Sequence, residues 1–192
     1  MALTRLGLNQ SINLATNTTG TLAVGNGGTG LTSGTSGQFL KFTGSTTVAS
    51  SAVDTGKIGQ IVQDVKSSTQ TINSGSYALL TSLDVDITPV ATSSKILIII
   101  SIPTFTIAGT DNEGLDFSLY RNGSAEYKFG GNFGYKSDGA AHNDGISFTR
   151  IHEPSSTSQQ TYAVYCKRNG NSNGDICTNS TQATITAMEI LA

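Results

Sequence analysis

Residues 1–56 carry three charges, Arg5, Lys41 and Asp54, and consist otherwise mostly of Gly, Thr, Ser, Ala and Asn. Such a segment cannot build a core of its own. It holds too few large apolar side chains to offset the entropy of ordering a chain that glycine makes unusually free. At its centre stands Leu22-Ala-Val-Gly-Asn-Gly-Gly-Thr-Gly-Leu31. Order in this arm has to come from other chains, either copies of itself or a larger assembly. Leu3, Leu6 and Leu8, with Leu22, Val24, Gly25, Asn26, Gly27, Gly28, Thr29 and Gly30, are its candidate anchoring and chain-packing residues. The pattern points to a structural or attachment protein more than to a free enzyme.

The chain changes character near Asp54-Thr-Gly56, which predicts an arm over 1–56 and a folded domain over 57–192. Beyond that point period-two alternation takes over. Tyr77, Leu79, Thr81, Leu83, Val85 and Ile87 would share one side of a strand, and Ala78, Leu80, Ser82, Asp84 and Asp86 the other. Lys95 to Ile102 is a short, β-branched aliphatic run closed by Pro103, the signature of a strand buried on both faces. Leu115, Phe117 and Leu119 alternate with polar residues up to Asn122-Gly123, a strong hairpin signal because both turn positions need positive φ. Ala125 to Phe129 reads as the returning strand and Gly130 to Asp144 as a polar loop. Further strands are expected around Ile146 to His152, Thr161 to Lys167 and Ala183 to Leu191. No segment sustains a 3.6-residue period. The expected fold is all-β: an extended Gly/Thr/Ser-rich arm followed by an antiparallel sandwich, jelly-roll-like at this length. Economy of edge protection favours a trimer.

Several function classes fall away. Charged residues make up 12% of the chain and the net charge is −2. No basic stripe marks a nucleic-acid binder. No apolar run approaches the ~18–20 residues needed to cross a bilayer, so no membrane insertion is expected. The first residues lack the apolar core of a secretion signal. Gly25-Asn-Gly-Gly-Thr-Gly30 formally matches a dinucleotide fingerprint. The residues after it are rich in Thr, Ser and Gly and start no helix, and no acid appears until Asp54. No cofactor is expected.

His142 and His152, the two histidines, read as solvated loop and strand-end residues rather than as a hydrolytic or metal site, since no nucleophile elbow accompanies them. Asp111, Asn112, Glu113, Asp138 and Asp144 offer oxygen ligands, but their spacing fits no EF-hand. A polysaccharide hydrolase would need carboxylates facing one bond, which the sequence does not place. The protein is therefore expected not to be an enzyme, with no catalytic or metal residues. Asn132, Phe133, Tyr135, Asp138 and Asn143 form a candidate receptor-contact loop, where aromatic faces stack and amides hydrogen-bond to a sugar or protein. Cys166 and Cys177 flank the turn-forming stretch Asn169 to Gly174. A hairpin there would set them opposite one another as a cross-strand pair; the simpler reading is two thiols.

The arm Gly20-Thr-Leu-Ala-Val-Gly-Asn-Gly-Gly-Thr-Gly-Leu31, followed by Ser36-Gly-Gln-Phe-Leu-Lys41, resembles the Asn-Gly-Gly-Thr-Gly linkers of tailed-phage fibre proteins, especially those of marine and cyanobacterial phages. Ile87 to Leu97, Leu119-Tyr-Arg-Asn-Gly123, Thr161-Tyr-Ala-Val-Tyr165 and Thr184 to Ile190 resemble, more loosely, the C-terminal sandwich modules of the same virion proteins. The resemblance implies a homotrimer located in the virion. Its N-terminal end would be bound to tail or capsid proteins, and a jelly-roll knob would face outward to a host surface glycan or protein. The long repetitive shaft of such fibres is absent. A short tail fibre, a capsid-bound head fibre or decoration protein, and a glycan-binding module all remain open.

Overall fold

The fold was obtained as a computed structural model, which describes residues 29, 31, 34–45, 47–52, 57–107, 113–136 and 141–191. The chain divides between Thr55 and Gly56 into two units. Every described element is a β-strand. In the first unit β1 (Phe39–Phe42) and β2 (Val48–Ser51) form an antiparallel hairpin, closed by a hydrogen bond from Thr43 N–H to the Thr47 carbonyl. Phe39, Leu40 and Phe42 of this hairpin are exposed.

The second unit is built from β3 (Ile58–Lys66), β4 (Gln70–Ile72), β5 (Ala78–Ile87), β6 (Lys95–Ile107), β7 (Glu113–Arg121), β8 (Ser124–Lys136), β9 (His142–His152), β10 (Gln160–Asn169), β11 (Gly174–Ile176) and β12 (Ala183–Ile190). One sheet has the order β5-β10-β7-β8. In the other, β6 pairs β12 along Lys95–Ser101 and β11 along Phe105–Ile107, while β9 pairs β6 over both stretches. A strand has two edges, so β9 takes one and β12 with β11 share the other; β3 and β4 lie beyond them. Without the short β4 and β11, eight long strands remain. Counted in chain order with β3 as first, β5 is second, β6 third, β7 fourth, β8 fifth, β9 sixth, β10 seventh and β12 eighth. The sheets are then first-eighth-third-sixth and second-seventh-fourth-fifth. That is the double Greek key of a jelly roll, and the sandwich expected from sequence is the one observed.

Between the sheets lie Leu83, Val85 and Ile87, Ile96, Ile98, Ile100 and Ile102, Leu115, Phe117 and Leu119, and Tyr162 and Val164, all buried. The Asn122-Gly123 turn joins β7 to β8 with φ of 50° and 79°, the positive pair its sequence demands.

Four local expectations are corrected. First, β6 does not stop at Pro103. The strand continues to Ile107, and Pro103 and Thr104 together face Gly145, a bulge at which a residue without a ladder N–H is tolerated. A Cβ on Gly145 would sit 2.6 Å from the Pro103 carbonyl oxygen, so the bulge requires glycine there. Second, Leu79 and Leu83 do not share a side. The ladder between β5 and β10 shifts around Ser82, whose φ is 61°, and Leu80 and Leu83 face the core while Leu79 is exposed. Third, the segment from Gly130 to Asp144 is mostly strand, because β8 runs to Lys136 and β9 begins at His142. Fourth, β6 is buried on one face only. Leu97 and Ile99 on its other face are half-buried.

Candidate functional site

Of the arm residues singled out by sequence, Leu3, Leu6, Leu8, Leu22, Val24, Gly25, Asn26, Gly27, Gly28 and Gly30 lie outside the described residues, as does Asp138 of the contact loop. Thr29 is exposed, and its hydroxyl accepts a hydrogen bond from the Leu31 N–H at 3.4 Å.

The contact-loop residues separate. Phe133 turns inward and meets Phe117 and Phe148 edge-on, with ring centroids 5.9 and 5.4 Å apart. It belongs to the core rather than to an outer surface. Asn132 has a φ of 62° and is held by its neighbours. Its N–H donates to Asp116 Oδ1 at 2.8 Å, and its Oδ1 accepts from Asn169 Nδ2 at 2.9 Å. Tyr135 is half exposed near the end of β8, and Asn143 is exposed near the start of β9, opposite Thr106. These two therefore lie at the same end of the sandwich, where β8 passes into β9.

The cysteines are not a cross-strand pair. β10 and β11 belong to different sheets, so the stretch from Asn169 to Gly174 is a crossover and not a hairpin. Both thiols are free and buried, and Cys177 Sγ donates to the Lys66 carbonyl at 3.4 Å. Burial, with Asp116 adding to it, pushes the Cys166 thiol far above its ordinary value.

His152 and Glu113, two of the groups weighed for chemistry, are engaged in the fold. His152 Nε2 lies 3.1 Å from Glu126 Oε1 and its Nδ1 lies 2.6 Å from the Tyr162 hydroxyl. With Nε2–H donating to the carboxylate, Nδ1 accepts from the fully buried tyrosine, which assigns the neutral Nε2–H tautomer. Arg121 joins Glu126 at 3.1 Å and donates to Gln160 Oε1 at 3.0 Å. The network thus ties β7, β8, β9 and β10 together across both sheets. Burial lowers the His152 pKa; Arg121 and Arg150 lower it further, against Glu126. Glu113 is buried and accepts from the N–H groups of Asn171 and Ser172 at 2.8 and 2.7 Å, which anchors the crossover turn. Asp111 and Asn112 lie outside the described residues.

Two surface features were not visible in sequence. Tyr120 and Tyr165 stack at 3.8 Å and 19° on the outer face of the four-stranded sheet, with Tyr77 tilted against Tyr120 at 6.2 Å. Lys167 lies over the Tyr77 ring and 3.5 Å from Asp116. The Tyr77 hydroxyl is buried without a hydrogen-bond partner among the described residues. Burial, then Asp116, push its pKa up to about 12. Only strand order brings these residues together, because they span positions 77 to 167. A second feature, an open cleft in β3 and β5, is lined by Val62, Gln63, Asp64, Asp84, Val85 and Asp86. Burial, then Asp64 and Asp86, raise the Asp84 pKa. Among the described residues no three His, Cys, Asp or Glu side chains are grouped to hold a metal ion.

No family model matches the sequence, and no curated protein matches it. Among solved structures the chain is similar to the VP2 subviral particle of infectious bursal disease virus, at 12% identity and a TM-score of 0.39. That match covers 79% of this chain and 41% of the other. It is also similar to T=1 particles derived from infectious bursal virus, at 10% identity and a TM-score of 0.42 over 79% and 40% of the two chains. The Gx strain of infectious bursal disease virus gives 10% identity and a TM-score of 0.41 over 79% and 41%. The chain spans about two fifths of the length of these structures. At these scores the likeness does not bear on function.

Proposed function

We propose that the protein is a non-enzymatic structural protein of a tailed-phage virion, a short homotrimeric fibre. Its arm, residues 1–56, binds other virion proteins and its sandwich faces the host. The observation that carries this reading is the joining of an almost uncharged Asn-Gly-Gly-Thr-Gly arm to a jelly-roll sandwich in one chain. The β1–β2 hairpin supports it. Two strands are marginal alone in water, and Phe39, Leu40 and Phe42 are more than half exposed, so the hairpin calls for cover from another chain. The polar groups of the sandwich support a non-enzymatic role, since His152 and Glu113 are committed to holding strands and turns. Tyr135 and Asn143, exposed at one end, are the proposed host-contact residues, and a glycan or a protein would serve as ligand there.

The test is antibody-gold labelling and cryo-electron microscopy of particles carrying this chain. Trimeric density at the tail is the expected result. Trimers on capsid faces or vertices would assign the chain to head decoration instead. Its absence from purified particles would overturn the virion reading.

A further inference from the structure

The outer faces of the two sheets differ in kind. On the four-stranded sheet that face carries Asp84, Asp116, Lys128 and Lys167. On the other sheet the register places Ile61, Met188, Leu97 and Ile151 side by side in one row across β3, β12, β6 and β9. The next rows are Gln63, Thr186, Ile99 and Thr149, then Val65, Thr184, Ser101 and Ser147. Gln63 Nε2 donates to Thr186 Oγ1 at 2.8 Å, which confirms that these side chains share the face. Across three rows and four strands there is no charge; Lys95, paired with Glu153, stands at the corner. Ile61 and Ile151 are 57% and 52% exposed.

A solvated face of an antiparallel sheet normally alternates to polar residues, and an apolar row across four strands breaks that rule. Four strands at ~4.8 Å and five residues at ~3.3 Å make this face about 320 Å² before side-chain relief, the scale of the largest patch on a monomer, which is often functional. The aliphatic run of β6 carries the sequence pattern of a strand covered on both sides, yet among the described residues only one side is fully buried, and Leu97 and Ile99 on the other are half-buried.

We infer that this face packs against further copies of the same chain and forms the inner surface of the oligomer. Two observations select a second copy over an unrelated partner. The face offers no charge with which to choose a charged partner, while two like faces of this kind match each other without leaving any charge buried. The nearly uncharged arm also precedes β3 in the same chain, so copies joined by their arms hold their sandwiches at a high effective concentration for one another. The inference rests on the assembly reading above and assigns it a surface.

The experiment is sedimentation of the full chain at tens of micromolar, with far-UV circular dichroism as the folding control. The wild type is expected at a multiple of 19.9 kDa. The double variant Ile61→Glu with Ile151→Glu is expected as a folded monomer, its dissociation constant raised about 100-fold or more by two charges placed in an apolar contact. Thr149→Arg, at an exposed site on the same face, should weaken assembly in the same direction and keeps the test decisive if the double variant misfolds. Lys128→Glu, on the opposite face, should leave the mass unchanged. A monomeric wild type, or assembly surviving both face variants, overturns the inference. Presence on particles is read separately by labelling, so a monomer found on virions would sink this face and leave the virion reading standing.

Discussion

A single proton at His152 couples pH to the contact between the two sheets. The neutral ring accepts from the Tyr162 hydroxyl at Nδ1; a protonated ring must donate there instead, which makes the buried hydroxyl the acceptor and forces its proton to turn away. The His152 pKa is lowered in the fold, chiefly by burial, so between the ordinary value of about 6.5 and the folded value the unfolded chain binds more protons. The stabilisation is complete above about pH 6.5 and is lost as pH falls through the folded pKa. Thermal unfolding followed from about pH 7.5 to 5 should show this loss, and His152→Gln should flatten it. A parallel slope in the variant would assign the effect elsewhere. Tyr162→Phe removes the donor and should cost about 1–2 kcal/mol near pH 7, read by denaturant titration. The thiols give a second residue-scale expectation. Cys166 and Cys177 are buried in different parts of the fold, so a thiol reagent should label neither in native protein and both after denaturation. Rapid labelling without denaturant would contradict the placement.

At the scale of the element, the bulges decide what the alternation pattern cannot. Ser82 holds a positive φ that glycine adopts without strain. Ser82→Gly should therefore be neutral or stabilising by up to ~1 kcal/mol, and Ser82→Val destabilising by about 1–2 kcal/mol, measured by chemical denaturation. Gly145 is the reverse case. Alanine there would drive a Cβ into the Pro103 carbonyl, at a cost of about 1–3 kcal/mol. Equal stability of Gly145→Ala and wild type would rule out the bulge as described. Bulges of this kind were not legible in the sequence. Strict alternation put Leu79 on the same side as Leu83, whereas the shift around Ser82 turned Leu80 inward with Leu83, since core packing outweighs a one-residue interruption of the ladder.

For the molecule as a whole, the core cluster among the described residues lies entirely in the second unit. A fragment beginning at Lys57 should keep the β-sheet circular dichroism of the full chain and unfold cooperatively. A fragment that stays unfolded would show that the core described within 57–191 is insufficient. Tyr135→Ala on particles should reduce adsorption to host cells by about tenfold if this end makes the contact, a loss of about 1.4 kcal/mol. Unchanged adsorption would remove Tyr135 from the host-facing surface.

The sequence by itself determined the class of fold, because period-two alternation, the Asn122-Gly123 turn and the aliphatic run of β6 are local properties of the chain. It also determined the low charge of the arm, which limits what the arm can do alone. Only the tertiary structure decided which sheet each strand joins. That choice separated Cys166 from Cys177, drew Phe133 into the core, gathered Tyr77, Tyr120 and Tyr165 on one face and lined up Ile61, Met188, Leu97 and Ile151 on the other. The physical reason is range. Alternation and turns are set by neighbours a few residues apart, whereas partners such as Ile58 and Ile190 come from opposite ends of the sandwich sequence and are chosen by how the whole core packs.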